Sequence, residues 1–168
     1  MKYKFLLVNK TAEARPNGYL GNLKMFVGDE QAVQQGRWTK LNGELKVSFN
    51  FKVKDQVYPV TVESPTYNNW APRAIFEGNE YYNWVSRTSD PKDVWITIET
   101  DIPITRFEYL NRGGGPQYYG RYNDKLLLTE ETTNTIIFDG NTPAYETISV
   151  DVPMRLHPRN KNTFITFK

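Results

Sequence analysis

The sequence predicts an all-β protein with the architecture of a β-sandwich or jelly roll. Helical periodicity is nearly absent, and apolar and polar residues instead alternate in ten short runs. Turn signals separate these runs at intervals of roughly 8–12 residues, which is typical of sandwiches. A chain of 168 residues is large enough to bury one core without disulfides, so we expect a single domain over residues 1–168.

The alternating runs define the expected strands, and the prolines fall mainly between them. The run KVSFNFKVKDQVYPVTVE predicts an extra hairpin near residues 44–63, which turns around Lys54, Asp55 and Gln56 and could be an insertion on the main sheet. Pro59 lies inside its run, which predicts that this strand is at a sheet edge. Two segments, DEQAVQQGR and SRTSDPKD, could each hold a helical turn. The expected strands are residues 3–9, 18–27, 44–54, 56–63, 94–99, 104–111, 125–129, 135–138, 146–150 and 163–167.

Composition excludes several classes of function. With 21 basic and 19 acidic residues and no long basic run, the chain lacks the electrostatic character of a nucleic-acid-binding protein. It has no cysteine, which excludes disulfides and thiolate metal sites. The apolar run near the N-terminus is too short for a signal peptide, and no stretch approaches a transmembrane span. We therefore expect a protein made in the cytoplasm, with no signal peptide and no membrane insertion.

Catalytic motifs are missing from the sequence. The one histidine, His157, has no partner at a recognisable motif spacing, and neither a nucleophile elbow nor a Walker or Rossmann fingerprint occurs. Composition leaves open only a glycosidase with a carboxylate pair. Its candidate acids would be Glu77, Glu80, Glu99, Glu108 and Asp124. Since such residues are mostly solvated surface acids, we predict that the protein is not an enzyme.

One loop has the composition of a recognition surface. The stretch NRGGGPQYYGRYND, residues 111–124, combines four glycines and a proline with tyrosines and arginines. The glycines and the proline prevent regular helix or strand, while tyrosine and arginine are the residues that binding loops favour. A second segment, APRAIFEGNEYYNWVS, predicts a tight turn at Gly78 and Asn79 and a core position for Trp84. Glu77 and Asn79, together with turn carbonyls, are also candidate ligands for calcium.

Residues 75–128 resemble the discoidin family, also called coagulation-factor C-type domains, and related sugar-binding modules of the galactose-binding-like fold. The family pattern is AFDGN, a tryptophan, W-x-x-I/V-D-L-G, a strand ending in Y-N-R, and then R-x-N-D before another strand. The corresponding residues here are IFEGN at 75–79, Trp84, WITIE at 95–99, Asn111, Arg112, Arg121, Asn123 and Asp124.

The departures from the family pattern concern the metal site and the order of the strands. Glu77 stands where the family has aspartate, which weakens any transfer of the family's calcium site. The closing strands of the family resemble KYKFLLVNKT and GNLKMFV, which lie at the start of this chain. The resemblance thus implies a circular permutation, an arrangement similar to modules of bacteriophage tail and virion proteins. Permutation is tolerated where termini lie close together at the surface.

The resemblance implies a non-catalytic binding module whose loops at one end of the sandwich hold sugars, other glycans or lipids. The leading hypothesis is a bacteriophage virion protein, tail or capsid-associated, that binds host-surface carbohydrate. One alternative is a structural or decoration protein that binds another virion protein, and another is a secreted accessory domain of a carbohydrate-degrading enzyme. Membrane insertion ranks last because it would need exposed apolar side chains on the loop, which has tyrosines and no leucines. The candidate ligand-binding residues are Trp70, Tyr81, Tyr82, Arg112, Tyr118, Tyr119, Arg121 and Tyr122.

Overall fold

The computed structural model describes residues 1–8, 18–67, 71–77, 84–86, 94–112, 122–153 and 156. Within these residues the protein is all-β, with antiparallel strands in one large sheet, one smaller sheet and a short strand pair. A 3₁₀ helix, Pro72–Phe76, lies beside them. The predicted all-β class is therefore confirmed, and the arrangement is consistent with a β-sandwich.

The large sheet contains eight strands. They are β1 (Lys2–Val8), β5 (Val33–Gln34), β6 (Thr39–Asn42), β7 (Lys46–Val53), β8 (Gln56–Glu63), β10 (Trp95–Thr100), β12 (Lys125–Glu130) and β13 (Thr135–Asn141). Their order is β13-β12-β1-β10-β8-β7-β5, and β6 also pairs with β7. The N-terminal strand thus lies in the interior of the sheet, between β12 and β10.

The remaining strands form the smaller sheet and the strand pair. The smaller sheet has the order β14 (Thr147–Asp151), β11 (Arg106–Leu110), β3 (Lys24–Val27) and β4 (Glu30–Gln31). The strand pair consists of β2 (Tyr19–Leu20) and β9 (Trp84–Val85).

The core lies between the two larger sheets and follows from the alternation of the strands. In β1, every second residue is buried, and in β11 the same pattern buries Phe107 and Tyr109. Tyr3 and Phe5 each meet Phe107 edge to face, with ring centroids 5.1 Å apart. This is the geometry that aromatic pairs favour in a packed interior. The sheets therefore pack through the apolar face that the sequence predicted.

The predicted hairpin near residues 44–63 is present as β7 and β8, and residues Lys54 and Asp55 form its turn with positive φ angles. The strand that contains Pro59, β8, is not an edge strand, because it pairs with β10 as well as with β7. The prediction of an edge strand from Pro59 is therefore wrong for β8 as a whole. The physical reason is local: β10 pairs only with residues from Val60 onward, so Pro59 lies where β8 has a neighbour on one side.

Other elements depart from the sequence patterns in smaller ways. The segment DEQAVQQGR, which could have held a helical turn, contains β4 and β5 instead. Trp84 is fully buried as predicted, and its indole N–H donates to the carbonyl of Thr66 at 3.0 Å. Residues 163–167, predicted as a strand, lie outside the described residues. Among the helices that the structure describes, none has the length and apolarity needed to cross a membrane.

Glu130, at the end of β12, is a buried acid that joins two parts of the fold. Its carboxylate accepts hydrogen bonds from the backbone N–H groups of Lys2, Thr132 and Thr133 and from the Thr133 hydroxyl. Burial alone would raise the pKa of this carboxyl, but the four donors outweigh burial and lower its pKa to about 2. The charged carboxylate therefore ties the start of β1 to the β12–β13 turn.

Candidate functional site

The glycine loop between β11 and β12 is closed at its base by two buried asparagines. Asn111 directly follows β11, Asn123 lies two residues before β12, and neither side chain has solvent-accessible surface. The Asn111 side-chain oxygen accepts from the Asn123 backbone N–H at 2.9 Å and from the Asn123 amide at 3.1 Å. The Asn111 amide donates in return to the Asn123 carbonyl at 2.9 Å. These bonds hold the two ends of the loop together.

The same asparagines connect the loop to other segments at this end of the sandwich. Asn123 pairs with the backbone of Tyr19, accepting from its N–H at 3.0 Å and donating to its carbonyl at 2.7 Å. Asn111 donates to the carbonyls of Thr142 and Pro143 in the β13–β14 connection. Buried amides with all their partners present are costly to replace. Their arrangement fixes where the loop leaves and re-enters the fold.

An aromatic pair lies beside this base. The rings of Tyr122 and Tyr145 meet edge to face with centroids 5.6 Å apart. Tyr122 is half-buried, whereas Tyr145 is 50% exposed. Arg112, also half-buried, is at the other end of the glycine loop. The described part of the site therefore offers two phenol rings and a guanidinium at one end of the sandwich.

Tyr145 has a strained backbone. Its φ angle is +64°, in the left-handed region, which costs a residue with a side chain roughly 1–2 kcal/mol. The conformation is held because its N–H donates to the Asn111 carbonyl at 3.0 Å, while the Asn111 N–H donates to the Glu146 carbonyl at 2.9 Å. An exposed aromatic residue kept in a strained conformation by buried neighbours is typical of binding sites. The strain therefore makes Tyr145 a candidate site residue.

Most of the predicted site residues cannot be compared with this geometry. Arg112 and Tyr122 are at the base of the loop, as just described. The predicted ligand-binding residues Trp70, Tyr81, Tyr82, Tyr118, Tyr119 and Arg121 lie outside the described residues. Their roles stay predictions.

The calcium hypothesis can be compared with the structure at one of its two residues. Glu77 is exposed, and its carboxylate is 4.0 Å from the guanidinium of Arg73. A cation this close competes electrostatically with a divalent metal ion. Asn79 lies outside the described residues, and the described residues contain no cluster of three or more His, Asp or Glu side chains able to hold a metal.

Sequence reasoning missed two parts of this site. The sequence shows Asn111 and Asn123 as residues of a pattern, but it does not show that both side chains are buried and bonded to each other. Tyr145 lies 21 residues beyond Asp124 in an ordinary Pro-Ala-Tyr sequence, where only the proline signals a turn. The pairing of Tyr145 with Tyr122 depends on β13 returning the chain to the loop end, which no local pattern encodes.

Comparisons of this chain with protein-family models, with curated proteins and with solved structures find no match.

Proposed function

We propose that this protein is a non-catalytic binding module of a bacteriophage virion, tail or capsid-associated, which binds host-surface carbohydrate at the loop end of the sandwich. The observation that carries the proposal is the aromatic pair of Tyr122 and strained, exposed Tyr145 beside the glycine loop. A sugar presents an apolar C–H face that stacks on such rings and hydroxyls that bind a guanidinium such as Arg112. The same loop carries the predicted residues Tyr119 and Arg121.

The finer fold assignment belongs to the same proposal. We assign the sandwich to the jelly-roll, galactose-binding-like type in a circularly permuted form. The assignment is supported by β1, because an N-terminal strand between β10 and β12 occupies an interior position of the sheet. It is also supported by Asn111 and Asn123, the two pattern residues that hold the loop closed. We also propose that the protein is made in the host cytoplasm and then assembled into the virion.

The proposal is tested by binding the purified protein to an array of bacterial surface polysaccharides. We expect specific binding that Tyr145→Ala, Tyr122→Ala, Tyr119→Ala and Arg121→Ala each reduce at least about tenfold, since aromatic and arginine contacts carry most of the free energy of small sites. Val57→Ala is the matched control, because Val57 is a similarly exposed apolar side chain on β8, away from the loop end.

Two outcomes would count against the proposal. Loss of binding that parallels a lower melting temperature in each variant would show unfolding rather than a binding role. No binding to any polysaccharide, together with stable complexes with tail or capsid proteins, would favour the structural or decoration role. Exposed tyrosines serve equally well as anchors in protein interfaces.

A further inference from the structure

The outer face of the large sheet contains a cleft remote from the glycine loop. Its volume is about 440 Å³, within the range of small-molecule sites. The cleft lies over β1 and β12 and is bounded by the β12–β13 turn, whereas the glycine loop joins the opposite end of β12. Its lining residues are Lys4, Leu6, Leu127, Thr129, Glu131 and Asn134.

The floor of the cleft is apolar and continues into an aromatic ring. Leu6 is paired across the sheet with Leu127 on one side and with Trp95 on the other, and all three side chains are half-buried on the outer face. The Lys4 ammonium lies 5.1 Å from the centre of the Trp95 ring. Since the outer face of a sheet is normally polar, two leucines on the floor of a cleft, with an indole beside that floor, are unusual.

The rim of the cleft is polar and offers both donors and acceptors. Lys4 and Lys2 lie 3.9 and 4.0 Å from the two carboxylate oxygens of Glu131. At these distances the charges attract each other but do not form hydrogen bonds, so their donors and acceptors remain available. The Thr129 hydroxyl and the Asn134 amide add further groups of both kinds.

We propose that this cleft is a second ligand site, which binds a neutral pyranose unit of a glycan. The two leucines of the floor suit the apolar C–H face of a sugar ring, and a mixed rim suits hydroxyls, which both donate and accept. Among the lining residues the positive charge of Lys4 is balanced by the negative charge of Glu131, so the rim has no net charge that would attract a carboxylated or phosphorylated sugar, which favours a neutral ring. The inference stands on the cleft alone and does not require the loop end to bind a ligand.

The test is a titration of the ¹⁵N-labelled protein with neutral mono- and oligosaccharides, followed by amide and indole chemical shifts. We expect shifts at Lys4, Leu6, Thr129 and Asn134 and at the Trp95 indole N–H. Thr129→Val and Glu131→Gln keep the side-chain shapes and should each raise the Kd about three- to tenfold, the effect of one lost hydrogen bond. Ser149→Ala, on the exposed face of β14, is the control and should leave the Kd unchanged.

The possible outcomes separate this inference from the proposed function. Shifts confined to Arg112, Tyr122 and Tyr145 would overturn the cleft inference and leave the loop-end proposal intact. Shifts confined to the cleft would support this inference and contradict the loop end as the sugar site. The absence of shifts with every neutral sugar, or shifts in the cleft with acidic sugars only, would overturn the inference.

Discussion

Glu130 should make the stability of this protein depend on pH below the neutral range. Its pKa is about 2 in the folded protein, against 4.5 for an ordinary glutamate. Because the folded pKa is lower, the folded state binds fewer protons between these two values. The stabilisation is therefore fully present above about pH 4.5 and is lost progressively as the pH falls toward 2.

The size of the effect follows from the two pKa values. Each factor of ten in proton affinity corresponds to about 1.4 kcal/mol, so the carboxylate contributes about 3 kcal/mol to the free energy of unfolding at pH 7. At pH 3, where most unfolded chains carry the proton, about 1 kcal/mol remains. In Glu130→Gln, an N–H₂ group replaces one of the two carboxylate oxygens. The backbone N–H groups that donated to that oxygen, either those of Lys2 and Thr132 or that of Thr133, then have no acceptor.

The assay is urea unfolding of the wild-type protein and Glu130→Gln at a series of pH values from 7 to 3. We expect the variant to be less stable by about 3 kcal/mol at pH 7 and by about 1 kcal/mol at pH 3. The control is Glu131→Gln, because Glu131 is exposed and its long ion pairs contribute less than about 1 kcal/mol. A difference between wild type and Glu130→Gln that stays constant over this pH range would refute the reasoning.

Three further substitutions test the loop end and the core. Asn123→Asp removes the N–H₂ group that donates to the Tyr19 carbonyl, so it should lower the free energy of unfolding, measured in urea, by about 2–4 kcal/mol. A decrease of less than about 0.5 kcal/mol would contradict the role of Asn123 in holding the base of the loop. Tyr145→Gly should leave stability within about 1 kcal/mol, because relief of the left-handed strain offsets the lost ring contact, yet abolish glycan binding. Retained binding would exclude Tyr145 from the site. Tyr109→Phe should leave the melting temperature equal or higher, because this buried hydroxyl has no hydrogen-bond partner among the described residues, and a clear decrease would reveal one.

Alternation along the strands carried enough information to predict the fold class. It located β1, β7, β11, β12 and β14 because each buries alternate residues against one core. It also located β8 and β10, in which Val60 and Val62 and Ile96 and Ile98 are the alternating apolar residues that are buried. The two-residue strands β4, β5 and β9 are too short to show a period, so they could not be found this way. The error at Pro59 has a related cause, since a sequence pattern does not reveal where a neighbouring strand ends.

The candidate site could be predicted only in part, for a physical reason. The glycine loop is visible in sequence because its composition is local. Asn111 is bonded to Asn123 and to the β13–β14 connection, and Tyr145 meets Tyr122 across a sequence separation of 23 residues. Such contacts depend on the path that β12 and β13 take through the fold, which no local sequence pattern encodes. In addition, a buried asparagine that closes a loop cannot be distinguished by sequence from an asparagine that is exposed on the loop.

The central claim is that the paired rings of Tyr122 and Tyr145 form part of a glycan-binding surface. The most direct measurement compares the affinity of the wild-type protein, Tyr145→Ala and Val57→Ala for one bacterial surface polysaccharide that the array identifies. The account predicts at least about a tenfold weaker affinity for Tyr145→Ala and an unchanged affinity for Val57→Ala, with both variants folded. Equal affinities of Tyr145→Ala and the wild-type protein would contradict it.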